Sequence, residues 1–183
     1  LVIKPEVVVR VTSDCPLLDA VLIDDLIEKF LMAKVDYASN VLVPTLPDGM
    51  SVEVFKFSAL EKAWNEAKLK SEREHVTPYI WKNAKNSISE NTTSSALFGE
   101  AVKSLNLFSV LSVLYKPNFS HMRLTIDHPE DLFVLNALVK QLGKSAPYGE
   151  YIKALNQNPE LAQQNEKYKR LEGYKKSVQD EKL

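Results

Sequence analysis

An α/β fold with a mostly parallel sheet is what this sequence predicts. Three observations carry that expectation. Short β-branched runs alternate with segments of helical periodicity. Two helix-start signatures of the Ser-x-x-Glu type occur, at Ser58-Ala59-Leu60-Glu61 and Ser71-Glu72-Arg73-Glu74. The composition then shifts after Gly143 to a Lys-, Glu-, Gln- and Asn-rich stretch with few β-branched residues.

The elements follow in order. Val7-Val8-Val9-Arg10-Val11 reads as a buried strand, ended at Cys15-Pro16 because the residue before proline avoids the helical region. Asp19 can cap a helix whose apolar face is Ile23, Leu26, Ile27, Phe30 and Leu31. Residues 37–41 and 52–57 read as strands, separated by a loop with Pro44, Pro47 and Asp48-Gly49. The two capping boxes open helices to about residues 67 and 81. Residues 82–104 are polar and read as loop or loop plus a short helix. Residues 107–115 and 121–126 are the last two predicted strands. Asp127-His128-Pro129-Glu130 then opens a helix carrying Leu132, Leu135, Leu138 and Leu142, which Gly143 ends. Residues 1–143 are therefore expected to form the domain proper, and residues 144–183 a helical tail.

Composition narrows the function. A net charge of -1 supplies no overall basic field for nucleic acid or an anionic membrane. No apolar run approaches the roughly 18 residues that span a bilayer. The single cysteine, Cys15, permits no intrachain disulfide, which fits a cytoplasmic setting.

Two aspartates are expected just past strand ends, where α/β sheets place ligands: Asp14 and Asp127. Such a pair can hold Mg2+, a hard cation that prefers oxygen ligands and bridges phosphates. Each also has a plain role, Asp127 as a helix cap with Glu130 in the first turn and Asp14 in ordering a turn. Arg10, set among valines, either faces an anionic ligand or pairs internally with a carboxylate such as Glu53. Arg123 admits the same two readings. Arg73 and His75 either present to a sugar or phosphate at a helix start or belong to an exposed first turn.

Taken together, Val8-Val9-Arg10-Val11-Thr12-Ser13-Asp14-Cys15-Pro16-Leu17-Leu18-Asp19, Pro47-Asp48-Gly49-Met50, Ser71-Glu72-Arg73-Glu74-His75-Val76-Thr77-Pro78-Tyr79 and Met122-Arg123-Leu124-Thr125-Ile126-Asp127-His128-Pro129-Glu130-Asp131 resemble segments of the cytidylyltransferases of the spore-coat polysaccharide biosynthesis type. That branch is related to the enzymes that activate 3-deoxy-manno-octulosonate and sialic acid. The resemblance implies a nucleotide-diphospho-sugar transferase (Rossmann-like) fold lacking its N-terminal part. It implies transfer of CMP from CTP to a sugar, an acidic one by analogy, with pyrophosphate release. It makes Asp14 and Asp127 Mg2+ ligands, and Arg10, Glu53, Arg73, His75 and Arg123 sugar or nucleotide contacts. CTP and a sugar become the expected partners.

Ser13 and Ser51 depart from the family's usual glycine and aspartate. No glycine begins a basic loop able to cradle a triphosphate, and the chain opens at Leu1, so a fragment inactive alone is expected. An exposed sheet edge and hydrophobic face would then favour a homo-oligomer, or a tail folded over that face. A metal-dependent glycosyltransferase and a non-catalytic oligomerisation module are the competing readings.

Overall fold

A computed structural model of the chain describes residues 4–89 and 107–181. Its elements are β1 (Val7–Arg10), α1 (Ala20–Ala33), β2 (Tyr37–Ser39), β3 (Glu53–Lys56), α2 (Phe57–Glu66), α3 (Lys70–Glu74), α4 (Pro78–Lys82), β4 (Ala84–Ser89), β5 (Phe108–Ser112), α5 (Pro129–Leu142), α6 (Tyr148–Gln157), α7 (Pro159–Ala162) and α8 (Glu172–Asp180).

One five-stranded sheet has the order β1-β3-β2-β5-β4. β3 runs antiparallel to both β1 and β2, while β2–β5 and β4–β5 are parallel. Four strands thus point one way, and β3 alone opposes them. The sheet is mixed because β3 returns from the loop after β2 and inserts between the parallel pair β1 and β2. This places Arg10, Glu53 and Ser39 in one row at the edge where the four like-directed strands end.

Strand alternation sorts the core onto two faces. Tyr37, Phe55 and Val110 pack on one side with Ala59, Ala63, Tyr79 and Ile80 of α2 and α4. Ala38, Val54 and Leu111 pack on the other against Leu26 and Phe30 of α1. Glu53 shares the face of Phe55, so its carboxylate projects beside Tyr37. The α1 face differs from the expected one at its ends: Leu22 is buried, whereas Leu31 lies in solvent. Asp19 caps α1 through Val21 N as expected, and its other oxygen accepts Tyr148 N at the start of α6. Accordingly Tyr151, Ile152 and Leu155 of α6 join the same core cluster as Leu22, Leu124, Leu135 and Leu138.

Five local expectations are corrected. Residues 121–126 form no strand of the sheet; they make a single parallel bridge, Asp48 to Arg123. The segment spends its hydrogen bonds on loops instead, Asp48 N to Met122 O, Leu124 N to Asp48 O and Ile126 N to Asp14 O. The α5 cap is His128, with Asp131 accepting from the backbone N–H groups of Asp127 and His128, so Asp127 is not the cap. The helix expected from Ser71 to Trp81 breaks into α3 and α4 at Val76, which takes a left-handed φ of 70° before Thr77-Pro78. Ser58 caps nothing, because α2 begins at Phe57. Of the polar segment 82–104, β4 occupies the start, and residues 90–106 lie outside the described residues.

Candidate active site

A cleft of about 610 Å³ opens at the edge where the parallel strands end. Its wall includes Arg10, Thr12 and Asp14 after β1, Asp48 and Ser51 from the loop before β3, and Glu53 itself. His75, Thr77 and Trp81 come from the α3–α4 region, and Thr125, Asp127 and His128 from the segment before α5.

The floor is built on Glu53, which is 6% exposed. One oxygen accepts from Tyr37 Oη at 2.6 Å and Thr77 Oγ1 at 2.6 Å. The other forms a close ion pair with Arg10. A buried carboxylate needs such partners, because losing water without them is costly. Burial pushes the Tyr37 phenol well above its ordinary value, and the Glu53 charge adds to this. Tyr37 is therefore a hydrogen-bond donor at neutral pH. Arg10 pairs with Glu53, as one of its two readings expects, and also lines the cleft.

A second network stands behind the acidic corner. Arg123, 6% exposed, donates Nε to Asp131 at 2.8 Å and Nη2 to the other Asp131 oxygen at 2.9 Å. It also reaches Asp127 at 2.6 Å and Asp48 at 3.1 Å. Asp131 is fully buried and also accepts from Asn165 at 2.9 Å. Burial opposes its ionisation, yet the bonds from Arg123, Asp127 N, Asn165 and His128 N outweigh this and hold its carboxyl at about 2. Arg170 lies 3.5 Å from Asp48 and donates to Leu46 O at 2.8 Å. Burial raises Asp48 above the usual carboxylate range against the pull of Arg170 and Arg123, and the charges on Asp127 and Asp14 push with burial. Three carboxylates thus crowd one corner.

Of the residues expected to act in binding, Asp14, Asp127, Arg10, Glu53 and His75 are brought to the cleft. Arg123 does not line it; the guanidinium is enclosed and acts through Asp127. Arg73 is also elsewhere, exposed, with its guanidinium over the Trp64 ring and bonded to Trp64 O at 3.2 Å. The α3 helix turns that side chain towards α2. His75 Nε2 lies 3.0 Å from Ser177 Oγ, and its ring meets Tyr174 edge-on.

The sequence reading did not single out Asp48, Asp131, Asn165 or Arg170 as parts of a site. Asp48 read as a turn residue, and Asp131 appeared only as the last residue of the family-like segment from Met122. Only the pairing of the two loops shows their convergence.

Mg2+ can be tested against these groups. Asp14 and Asp127 sit on segments joined side by side, since Asp14 O accepts Ile126 N at 2.9 Å and Thr125 Oγ1 at 3.0 Å. Asp127 uses one oxygen for Arg123, and its other oxygen has no partner among the described residues. Among the described residues the Asp14 carboxylate has only a long thiol contact from Cys15, 3.7 Å. Oxygen atoms of two carboxylates, with water and phosphate to complete the shell, fit the ion's habit. Among the described residues no group of three or more His, Cys, Asp or Glu is disposed to hold a metal.

A mixed α/β sheet with its cleft at the ends of parallel strands defines an open-sheet class that takes ligands at that edge. Within it, the chain belongs to the cytidylyltransferase family, whose model matches residues 2–172. A solved cytidylyltransferase from Leptospira borgpetersenii serovar Hardjo-bovis superposes with a TM-score of 0.71 at 28% identity, covering 86% of this chain and 59% of that one. An uncharacterized protein of Methanocaldococcus jannaschii is 50% identical over 80 residues, 43% of this chain and 31% of its own length. The chain therefore spans under two thirds of both. Among the described residues no helix is long and apolar enough to cross a membrane.

Proposed function

We propose that the cleft binds CTP and a sugar, and that the whole protein to which these residues belong transfers CMP to the sugar with release of pyrophosphate. The observation that carries this reading is the side-by-side fixing of the Asp14 and Asp127 segments at the mouth of the cleft, each with carboxylate oxygen to spare. Family membership supports nucleotidyl transfer as the reaction type. Asp14 and Asp127 would hold Mg2+, which when bound neutralises phosphate charge and orients the triphosphate. Arg123 fixes the Asp127 carboxylate, and Asp131 fixes Arg123. Arg10, held by Glu53, is a positioned cation for an anionic group, and His75 lines the same cleft.

An acidic sugar suits the cations at the cleft, and a surface-glycan pathway in the cytoplasm suits such a product. Both belong to this proposal, as does association of two copies, which sedimentation tests directly. Fractionation of cells tests the compartment.

The decisive measurement is CTP binding by titration calorimetry, with and without Mg2+. Binding should require Mg2+ and weaken at least about tenfold in the Asp14→Asn, Asp127→Asn double variant, since each lost charge-assisted ligand contributes on the order of 1.5 kcal/mol. Tight binding of a finished nucleotide sugar, with none of CTP, would instead support a glycosyltransferase.

A further inference from the structure

We propose that residues 163–181 are part of the binding site, forming a strap across the cleft that places Lys169 against an anionic group of the ligand. This rests on the reading of the cleft given above and adds a residue outside it.

The strap is fastened on both sides of Lys169. Upstream, Asn165 is 2% exposed and bonds to Asp131 Oδ1 at 2.9 Å and to Arg123 O at 3.3 Å. The Tyr168 ring stacks on His128 with centroids 3.6 Å apart and planes 11° from parallel. Downstream, Arg170 reaches Asp48 and Leu46 O. Leu171 takes a left-handed φ of 61°, and α8 then docks on α3 through Glu181 to Ser71, 3.0 Å for Oε2 to Oγ, and Ser177 to His75, 3.0 Å. A chain held at this many points has already lost the freedom that ordering a loop on binding would otherwise cost.

Lys169 lies between these fasteners and lines the cleft, with Glu172 and Tyr174 of the same strap. The backbone N–H of Lys169 is committed to Glu172 at 2.8 Å, whereas its ammonium has no bond or ion pair with any described residue. The cleft's other full cation, Arg10, is already paired with Glu53. Lys169 is thus a cleft-lining ammonium with no ion-pair partner among the described residues, with three donors for a phosphate or a sugar carboxylate.

Calorimetry of CTP with Mg2+ tests this on the full chain, comparing wild type, Lys169→Met and Lys169→Arg. The expected result is about ten- to hundredfold weaker binding in K169M, recovery of most of it in K169R, a shallower dependence on salt, and an unchanged melting temperature. A loss with CTP but not with cytidine assigns Lys169 to phosphate. A loss seen only when 3-deoxy-manno-octulosonate or N-acetylneuraminate is titrated into the CTP-loaded protein assigns it to the sugar carboxylate. Equal affinities of wild type and K169M in every titration overturn the inference while leaving the CTP reading standing. Failure of wild type to bind CTP or either sugar overturns both. A melting temperature lowered in K169M and restored in K169R, with affinities unchanged, shows a purely structural lysine and also overturns it.

Discussion

At the scale of single residues, the site depends on two buried carboxylates that never need touch a ligand. Asp131 neutralises Arg123 from a fully enclosed position. Replacing it with alanine leaves a buried guanidinium with only Asp127 and Asp48 for company. Breaking a buried pair on one side costs about 3–5 kcal/mol, so Asp131→Ala should lose about that much in urea unfolding. Asp131→Asn, which keeps the shape and some of the hydrogen bonds, should lose clearly less. Equal losses would mean that the charge, rather than shape and packing, is what Asp131 provides. Glu53 plays the matching part on the floor, where a single side chain joins β1, β2 and the turn before α4 through Arg10, Tyr37 and Thr77.

Among the elements, the loop between β2 and β3 carries the most consequence. Asn40 closes it, donating to Met50 O and accepting Val52 N. Gly49 then passes so near the 124–125 backbone, with φ of 100°, that a Cβ would lie 2.4 Å from the Leu124 carbonyl. Gly49→Ala should therefore destabilise the fold by about 2 kcal/mol or more and weaken ligand binding by displacing Asp48. A variant with wild-type stability would refute the close approach. Much of this level was legible in advance. Asp19 starts α1, Gly143 ends α5, and β1, β2, β3 and β5 fall within three residues of their expected limits, whereas β4 lies where loop was expected; caps, turns and β-branched runs act locally. The segment 121–126 was misread because Leu124 and Ile126 are apolar for the sake of a loop-to-loop core, not a sheet. The direction of β3 was hidden because nothing in a four-residue strand records which neighbours it will join. Of the cleft lining, Asp14 and Asp127 could be found from motif and position, but the engagement of Arg123 adds to its nearby partners Asp127 and Asp131 a bond to Asp48, 75 residues away, which no local pattern records. Arg73 was misplaced because a short helix can turn a first-turn side chain to either flank.

Over the whole molecule, the C-terminal strap meets the end of α3 at His75. Burial pushes its imidazole below the ordinary value; Glu74 pulls the other way and Arg10 reinforces burial. As pH falls, the unfolded chain takes up the proton first, near the ordinary imidazole value of 6.5. The contribution of His75 is therefore whole above that pH and is lost as pH drops towards the lowered folded value. Wild type should lose more stability than His75→Gln between about pH 7.5 and about pH 5.5, a window that brackets the free imidazole value. Limited proteolysis should cut the strap earlier at the lower pH; parallel stability losses in the two proteins would count against this latch. The order of chain synthesis adds a last point. Asp48 and Asp131 emerge from the ribosome well before Asn165 and Arg170, which bond to them in the finished protein. A nascent chain that has completed α5 thus carries an acidic corner short of two of its donors, and its early fold must be less settled than the mature one.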